Sequence, residues 1–557
     1  MSALGPQSCG NAGRPCIERS RHKFAAQFNV YATQLPGSQR YGVESNVRAD
    51  MEVRPYGSLS IQQHPQRKVY MKLYLHGTDN KYAAEQTLLT LFPSERPEYP
   101  EGAPEGERCE LTVTRGEKYA VCTARLVRGG EVYHGTARAV IDKMRDKDSE
   151  AHYMNRIVKL AFYRAALECG VLEPVWGCLT GVRPAKLMTG YLREGLSPRA
   201  ARGQFMREYF VQPERAQLCL DAALYSERER ELLLPGDVCL YVGIPFCPTR
   251  CAYCSFVSQS VEKSMKLVPQ FLEALWGDIA ATGAAVRRAG LRPVALYMGG
   301  GTPTTLSAAQ LDELCTRLED SFDLTHLREY TVEAGRPDTI TRDKLEVLKA
   351  HSVRRVSVNP QTMSDSVLEA IGRRHTSRDI VEALSLVRSV GGFDVNMDLI
   401  AGLPTDTPEG FAETLTRVLA LAPENITVHT LSMKRGSTLT VSGGALPAAE
   451  DVGNMLSGAL DRLPAAGYEP YYLYRQKYMA GGYENVGWTR PGHESPYNIC
   501  IMEELCSIIS MGAGGSTKLV APGRIKRFFA PKYPLEYING ADSVRAGKER
   551  ITDFYGL

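Results

Sequence analysis

The sequence lacks the features that would indicate a membrane protein or a nucleic-acid-binding protein. Its 557 residues contain no run of about 18 uninterrupted apolar residues, so no membrane-spanning helix is expected. The chain has 66 basic and 63 acidic residues, so neither sign of charge dominates. This balance gives no reason to expect a nucleic-acid or membrane partner. The opening MSALGPQSCGNAGRPC lacks the basic and apolar stretches of a signal peptide. We therefore expect a cytoplasmic protein.

Cysteine is neither dense nor regularly paired along the chain. The 14 cysteines are scattered singly, apart from a close trio at Cys247, Cys251 and Cys254. A disulfide-rich secreted protein would be shorter and denser in cysteine, so reduced thiols are expected. In a reducing compartment, a close trio indicates metal or redox chemistry.

Four segments follow one another along the chain. Residues 1–70 are rich in Gly, Pro, Gln, Ser and Arg, which predicts a poorly structured extension. Residues 71–235 predict a mixed α+β domain that turns helical in its second half. Residues 236–435 alternate between strand and helix patterns. Residues 436–557 are mixed, and we expect them to form a C-terminal domain that covers the substrate.

The alternating segment predicts a partial barrel. Helical stretches separate six short apolar runs: DVCLYVGIP, PVALYMGGG, REYTVEAG, VRRVSVNPQ, FDVNMDLIAG and ENITVHTLS. Strands that alternate with helices in this way form a parallel sheet with crossover helices. The predicted fold class is therefore α/β, with a partial (β/α)6 barrel between mixed N-terminal and C-terminal domains.

Unusual residues stand at or near the end of each predicted strand. In parallel barrels, functional groups gather at the carboxyl ends of the strands. In chain order these strands carry the cysteine trio, GGGTPT at 299–304, Glu333, Asn359 with Gln361, Asp398 and Ser432. Agreement among six units predicts one site on one face of the barrel.

The spacing C-x3-C-x2-C places three thiolates on one loop. Such a loop can hold a cubic [4Fe–4S] cluster, which usually takes four thiolates, and leave one iron open to a small molecule. Zinc is a weaker interpretation because no second cysteine pair follows, and three unrelated buried cysteines are the other alternative. The glycines of GGGTPT let a ligand approach the backbone, although a tight turn explains such a run about equally well.

These motifs resemble a known enzyme family. C-x3-C-x2-C followed by GGGTPT is similar to the radical S-adenosylmethionine (SAM) enzymes. The wider pattern resembles the oxygen-independent coproporphyrinogen III oxidases (dehydrogenases), through YVGIPFCPTRCAYCSF, LYMGGGTPTTL, TVEAGRPD, VNPQT, IGRRHT and NMDLIAGLP. Four further stretches resemble the HemZ-type branch: YMKLYLHG, LTGVRPAKL, WTRPGHESPYNICIMEE and GAGGSTK. The resemblance covers residues 71–557.

The resemblance implies two cofactors, a [4Fe–4S] cluster and SAM, with a second SAM as a further expectation. Three residues would ligate the cluster: Cys247, Cys251 and Cys254. Three match positions that contact the cluster-bound SAM: Tyr241, Gly300 and Glu333. Six match positions that contact the second SAM: Tyr253, Gly301, Thr302, Gln361, Arg373 and Asp398. Ser432 is a weaker match near the adenosine of the bound SAM.

The implied reaction is the oxidative decarboxylation of two propionates of coproporphyrinogen III to vinyl groups, which gives protoporphyrinogen IX in anaerobic heme biosynthesis. A 5′-deoxyadenosyl radical would remove a hydrogen atom from a propionate β-carbon. The implied partner is an electron donor such as flavodoxin or ferredoxin. Because the substrate bears carboxylates, a cationic pocket is expected. Its candidates, for each of which a solvated surface is the alternative, are Arg336, Arg374, Lys434 and Arg435.

One position departs from the family pattern. The best-known porphyrinogen oxidases carry a fourth cysteine two residues after the third, where this chain has Phe256. The form CAYCSF resembles related heme-binding chaperones, and the HemZ-type branch shares it. Two alternatives stay open: a heme-binding chaperone, and a radical SAM enzyme that acts on another tetrapyrrole. We interpret His375 as structural, and the tyrosines of 468–478 either as a pocket for a flat ring or as packing.

Overall fold

The computed structural model describes residues 69–144, 147–254, 259–260, 264–432, 446–476 and 480–556. These residues form two compact units. The first comprises the described residues up to Leu89 together with Ser94–Cys169, and the second comprises Thr90–Pro93 and the chain from Gly170 onward. The domain boundaries expected near residues 70, 235 and 435 stay predictions.

A five-stranded sheet forms the first unit. Its strands are Val69–His76 (β1), Glu95–Glu98 (β2), Arg108–Arg115 (β3), Tyr119–Arg128 (β4) and Glu131–Val140 (β5), in the order β2-β1-β3-β4-β5. Buried and less buried residues alternate along β3 and β4, so one face of the sheet packs inward. The helix Lys147–Glu168 (α2) packs on β4 and β5, while Lys81–Leu91 (α1) follows β1.

Three helices begin the second unit. They are Pro184–Arg193 (α3), Pro198–Tyr209 (α4) and Pro213–Leu232 (α5). Each begins with proline, whose fixed φ suits the first helical position and whose missing N–H has no intrahelical partner there.

Six parallel strands form the centre of the second unit. They are Asp237–Ile244 (β6), Arg292–Gly300 (β9), Glu329–Val332 (β10), Arg355–Ser357 (β11), Asp394–Ala401 (β12) and Asn425–Thr430 (β13). Two very short strands, Phe246–Cys247 (β7) and Gln259–Ser260 (β8), pair within the loop after β6. The six lie side by side in chain order. Most of their residues are buried, as a parallel sheet covered by helices requires.

Helices connect these strands. They are Val268–Arg288 (α6), Ala308–Ser321 (α7), Arg342–Ala350 (α8), Asp365–Ala370 (α9), Ser377–Val390 (α10) and Pro408–Leu421 (α11). In α7 the residues Leu311, Leu314, Cys315 and Leu318 form a buried stripe at helical spacing. Ser307 and Gln310 close its first turn as a capping box.

The C-terminal segment extends the sheet at both edges. Its strands are Glu469–Arg475 (β14), Glu484–Thr489 (β15), Ser507–Gly512 (β16), Ser516–Ala521 (β17) and Arg524–Phe529 (β18). The full order is β14-β15-β13-β12-β11-β10-β9-β6-β16-β17-β18, with β15 antiparallel to β13 and β16 parallel to β6. Its helices are Ala449–Ala465 (α12), Pro496–Glu503 (α13), Pro534–Asn539 (α14), Ala541–Ala546 (α15) and Glu549–Tyr555 (α16).

This architecture confirms the predicted fold class. Six parallel strands lie in chain order with crossover helices, as a partial (β/α)6 barrel requires, and mixed α/β structure flanks them on both sides in sequence. Within the described ranges, no helix combines the length and the apolar content needed to cross a bilayer.

Candidate active site

The loop after β6 carries the cysteine trio on one anchored segment. Cys251 is 9% exposed, and Cys247 and Cys254 are half-buried. The Cys254 amide donates to the Cys251 carbonyl at 3.1 Å, which closes the C-x2-C part into a turn. The Ala252 amide donates to the Ile371 carbonyl at 2.9 Å, so the loop is tied to the segment after α9. Phe256 lies outside the described residues.

The glycine loop after β9 packs directly against the backbone that leads into the cysteine loop. The Gly301 amide donates to the Ile244 carbonyl and the Thr302 amide to the Phe246 carbonyl, both at 2.7 Å. A Cβ on Gly301 would lie 2.5 Å from the Phe246 carbonyl oxygen, which only glycine avoids. The Thr302 hydroxyl lies 3.4 Å from the Cys247 sulfur. Gly301 is therefore required for the close approach of the glycine loop and the backbone that leads into the cysteine loop.

Strand register brings together the residues predicted to contact the cluster-bound SAM. Tyr241 on β6 lies opposite Tyr297 on β9, and their rings stack with centroids 6.3 Å apart. Glu333, one residue beyond β10, accepts a hydrogen bond from the Tyr297 hydroxyl at 2.7 Å. A Cβ on Gly300 would lie 3.3 Å from the Tyr241 hydroxyl. Tyr497 of α13 stacks on Tyr297 at 4.5 Å and completes an aromatic wall.

Glu333 is a largely buried carboxylate with unusual electrostatics. Burial raises the pKa of its carboxyl to about 7, although hydrogen bonds from the Tyr297 hydroxyl and the Gly300 amide oppose the rise. Among the described residues, none forms an ion pair with Glu333. A cationic ligand would favour the ionised form, so this site suits an ammonium group.

Asn359 joins the residues predicted for the second SAM. Its side-chain amide donates to Asp398 Oδ2 at 2.7 Å, and its carbonyl accepts from Arg373 Nη1 at 2.6 Å. The Gln361 amide donates to the Asp398 carbonyl at 2.8 Å. Gln361 has a φ of 67°, a left-handed conformation that is uncommon outside glycine and that occurs often at functional sites. The structure thus brings Gln361, Arg373 and Asp398 together around one asparagine.

Asp398 stays ionised. Burial alone would raise the pKa of its carboxyl, but the neighbouring His429, Asn396 and Thr427 side chains hold that pKa below its ordinary value. The His429 Nε2 lies 3.8 Å from Asp398 Oδ1. An ionised carboxylate accepts hydrogen bonds only, which suits the hydroxyl groups of a ribose.

Arg373 links these strands to the cysteine loop. Its Nη2 donates to the Tyr253 hydroxyl at 3.3 Å. Burial alone would lower the pKa of its guanidinium, but Tyr253 and Cys251 beside it raise that pKa. Arg336 also faces Cys251, with Nη1 3.9 Å from the sulfur. Two cations therefore lie beside a thiol of the trio, and positive charge favours the thiolate, which is the form that binds a metal.

The other predicted residues lie around this arrangement or outside the described ranges. Ser432 follows β13, two residues past its end. Arg336 is 3% exposed and donates to Asp338 at 3.1 Å, so its guanidinium is occupied inside the protein. Arg374 is exposed and lines an open cavity of about 730 Å³ beside the cysteine loop. Lys434 and Arg435 are not among the described residues.

His375, Tyr468 and Tyr471 are buried. Burial, Arg373 and Arg336 lower the pKa of the His375 imidazole to about 4, so the ring is neutral at pH 7. The Tyr468 hydroxyl donates to the Pro423 carbonyl at 2.5 Å, and Tyr471 is 1% exposed. These two tyrosines therefore pack inside the protein.

Sequence reasoning assigned no role to several residues that shape the site. The sequence shows Asn359 only as a strand-end residue two positions before Gln361, and its contacts with Arg373 and Asp398 appear only in the structure. Tyr297 and His429 are strand residues whose importance depends on the register between neighbouring strands. Tyr497 comes from a distant helix, and no spacing in the sequence relates it to Glu333.

Comparisons with known proteins agree with this geometry. The Radical SAM superfamily profile matches residues 241–418. The oxygen-independent coproporphyrinogen-III oxidase-like protein HemZ of Bacillus subtilis (strain 168) is 38% identical over 406 residues, which are 71% of this chain and 80% of HemZ. The chain belongs to the HemZ-type radical SAM family. Both the recognition of the family and the predicted radical SAM fold are thereby confirmed.

Two further proteins are similar to this HemZ-type chain. The heme chaperone HemW of Bacillus subtilis (strain 168) is 30% identical over 301 residues, 52% of this chain and 74% of HemW. Among solved structures, the coproporphyrinogen III oxidase HemN from Escherichia coli aligns with a TM-score of 0.46 and 25% identity, covering 58% of this chain and 72% of its own.

Membership of the radical SAM family gives the cofactors as a [4Fe–4S] cluster and SAM. The residues of the candidate site fit both cofactors. Three thiols share one anchored loop, and a largely buried Glu333 offers a carboxylate to an ammonium group. The Nε of Arg373 is buried and has no hydrogen-bond partner among the described residues, as expected for a donor that serves a ligand. The role of each of these residues stays a prediction.

Proposed function

We propose that this chain converts coproporphyrinogen III to protoporphyrinogen IX without O2. The observation that carries the proposal is the match to HemZ, a coproporphyrinogen-III oxidase-like protein, over 80% of its length. The site supports it, because the predicted cluster loop lies beside two groups of residues suited to bind SAM.

The proposed reaction balances for each propionate. One hydrogen atom leaves the β-carbon, the bond to the carboxylate carbon breaks, and the vinyl double bond forms as CO2 leaves and one electron passes to a one-electron acceptor. When bound, the cluster and SAM supply the radical chemistry that removes the hydrogen atom. We propose flavodoxin or ferredoxin as the electron donor, because the family resemblance implies such a donor. We propose the cytoplasm as the location.

The chain's own residues would bind and orient the reactants. Cys247, Cys251 and Cys254 would hold the cluster and leave one iron without a protein sulfur. Glu333 would accept hydrogen bonds from the SAM ammonium group. The Tyr241, Tyr297 and Tyr497 rings would wall the site and exclude water.

A second ligand would occupy the neighbouring group of residues. Arg373 would offer its free Nε to a carboxylate, and Asp398 would accept hydrogen bonds from hydroxyl groups. This arrangement supports the proposal that a second SAM binds there, with Gln361 held in place by the Asp398 backbone.

The open cavity beside the cysteine loop supports binding of a polycarboxylate. Arg250 and Arg374 line it together with Arg373, and the acidic residues in its wall are Asp365 and Glu369. Three guanidinium groups against two carboxylates give the cavity an excess of positive charge, which attracts propionate groups.

A heme-binding chaperone is the second candidate. The 30% identity to HemW favours it. In that case the same site would bind a tetrapyrrole without decarboxylating it.

Anaerobic turnover separates the candidates. The reconstituted protein is incubated with reductant, SAM and coproporphyrinogen III, and the products are separated by chromatography. Formation of protoporphyrinogen IX with 5′-deoxyadenosine supports the proposal. Cleavage of SAM without a vinyl product would contradict the proposed substrate, and stoichiometric heme binding without turnover would favour the chaperone.

A further inference from the structure

Three cysteines outside the C-x3-C-x2-C loop meet inside the second unit. They are Cys239 on β6, Cys500 on α13 and Cys506 just before β16, and we call them the inner thiol cluster. Their sulfur atoms all lie within 4.8 Å of one another. Strand pairing between β16 and β6 and the helix α13 bring together residues that are up to 267 positions apart in sequence.

We propose that the inner thiol cluster binds a structural Zn²⁺ ion. A tetrahedral zinc with bonds of about 2.3 Å to sulfur places its sulfur ligands about 3.8 Å apart. The Cys239 and Cys506 sulfurs are 3.6 Å apart, close to that separation. Thiolates that hold different irons of a cubane lie further apart, so this cluster suits a single ion.

Glu229 contacts one of the three thiols and would supply the fourth ligand after a shift of its side chain, because its oxygens do not lie within 4.8 Å of all three sulfurs. Its Oε1 lies 3.8 Å from the Cys500 sulfur, against about 3.5 Å for sulfur and oxygen ligands of one tetrahedral zinc. Arg328 donates to both oxygens of Glu229, with Nη1 3.0 Å from Oε2. Such a second contact orients a ligating carboxylate and offsets part of the negative charge of the site.

The surroundings indicate a structural ion. Cys239 and Cys500 are 0% exposed, and Cys506 is 7% exposed. Structural zinc sites are closed and take four protein ligands, whereas catalytic ones keep a position for water. On binding, the three thiols release their protons, and no oxidation or reduction takes place. The ion would join α5, α13 and the paired strands β6 and β16.

Metal content tests the proposal in a chain whose cluster loop cannot compete for metal. The full chain carrying Cys247→Ala, Cys251→Ala and Cys254→Ala is loaded with Co²⁺, a spectroscopic substitute for Zn²⁺. We expect about one Co²⁺ per chain, displaced by Zn²⁺, with intense tetrahedral d–d absorption and a charge-transfer band of three thiolate ligands. Cobalt that shows fewer than three thiolates would overturn the proposal.

Adding Cys500→Ser to that chain should reduce the charge-transfer band by at least a third, because at most two thiolates remain, or remove it if cobalt no longer binds. The matched control is Cys315→Ser, which replaces a buried thiol on α7 and should leave the band unchanged. Equal charge-transfer bands in both variants would contradict the proposal.

Wild-type holoprotein gives a test that does not depend on the folding of variants. Elemental analysis should find about one zinc per chain beside the iron of the cluster. Holoprotein produced with zinc in the medium and found free of zinc would contradict the proposal.

Discussion

At the scale of single residues, burial gives Glu333 a pKa that suits the binding role proposed for it. Its carboxylate lies between the Tyr297 hydroxyl and the Gly300 amide without an ion-pair partner among the described residues. A buried carboxylate of this kind favours the neutral form until a cation arrives. Without a ligand, the ionised carboxylate destabilises the folded protein. A bound ammonium group would remove that destabilisation.

Glu333→Gln should therefore weaken SAM binding and stabilise the protein without SAM. Because the pKa of Glu333 is raised to about 7, wild-type affinity for SAM should rise as pH increases through 7 and then level off. We expect the variant to bind SAM about tenfold more weakly or worse above pH 7 and to lose this pH dependence. Equilibrium dialysis across pH 6 to 8 measures both.

The stability change has a definite sign. A carboxyl whose pKa is higher in the folded state than in the unfolded state loses stabilisation as pH rises. Above pH 7 the variant should therefore be more stable than wild type by up to about 3 kcal/mol, and below pH 4.5 the two should be alike. Glu503→Gln is the matched control, because burial also raises the pKa of Glu503 to about 7. It should leave SAM binding unchanged.

At the scale of elements, the glycine loop and the cysteine loop depend on each other for their positions. The glycine loop after β9 donates two backbone hydrogen bonds to residues 244 and 246 of the strand and loop that lead to the cysteine trio. Gly301 allows this approach because a side chain there would overlap the Phe246 carbonyl. The glycine run is thus explained by the packing of two backbones, and the same packing fixes Thr302 against Cys247.

Gly301→Ala should destabilise the protein by about 1–3 kcal/mol and reduce cluster assembly. The added methyl group would force the loops apart and move Cys247. Urea denaturation and iron content after anaerobic reconstitution measure the two effects. Gly190→Ala within α3 is the control, since nothing lies within 4 Å of its Cβ and alanine favours a helix. Full iron content in Gly301→Ala would contradict this account of the loops.

Glu504 joins several elements through one carboxylate. Arg183, Lys518 and Arg527 lie within 2.6–2.8 Å of its Oε1, and Lys186 pairs with its Oε2. Burial alone would raise the pKa of Glu504, but Arg183, Lys518 and Lys186 hold it well below its ordinary value. The α3 end, the segment after α13 and the strands β17 and β18 therefore meet at one residue.

Glu504→Gln should destabilise the protein by about 3–5 kcal/mol at pH 7, because four cations lose their buried partner. A carboxyl with a lowered folded-state pKa contributes stability that disappears as pH falls. The difference from wild type should therefore shrink below pH 4.5, the ordinary value. Urea denaturation at pH 7 and pH 4 tests this. Glu313→Gln, which removes an exposed ion pair with Arg317, should change stability by less than about 0.5 kcal/mol.

At the scale of the whole molecule, distant stretches of the sequence meet. LTGVRPAKL contributes Arg183 and Lys186, YNICIMEE contributes Glu504, and GAGGSTK contributes Lys518. These three stretches carry part of the resemblance to the HemZ-type branch, and their meeting around Glu504 gives them a shared structural role.

Alternation of apolar runs predicted the barrel, because each parallel strand is buried and each connection is a helix. The strand-end rule predicted the face that carries Glu333, Asn359 and the cysteine trio. The aromatic wall was not predictable, because Tyr497 meets Tyr297 only through the folding of α13 against β9. The inner thiol cluster was missed for the same reason, since its three cysteines are scattered singly in the sequence.

The electron paramagnetic resonance spectrum of the reduced, reconstituted protein, recorded before and after SAM is added, tests the central claim most directly. That claim is that the loop of Cys247, Cys251 and Cys254 leaves one iron of a [4Fe–4S] cluster open to SAM. We predict a [4Fe–4S]⁺ signal whose g values shift when SAM binds. A protein that assembles no such cluster, or a signal that SAM leaves unchanged, would contradict the account.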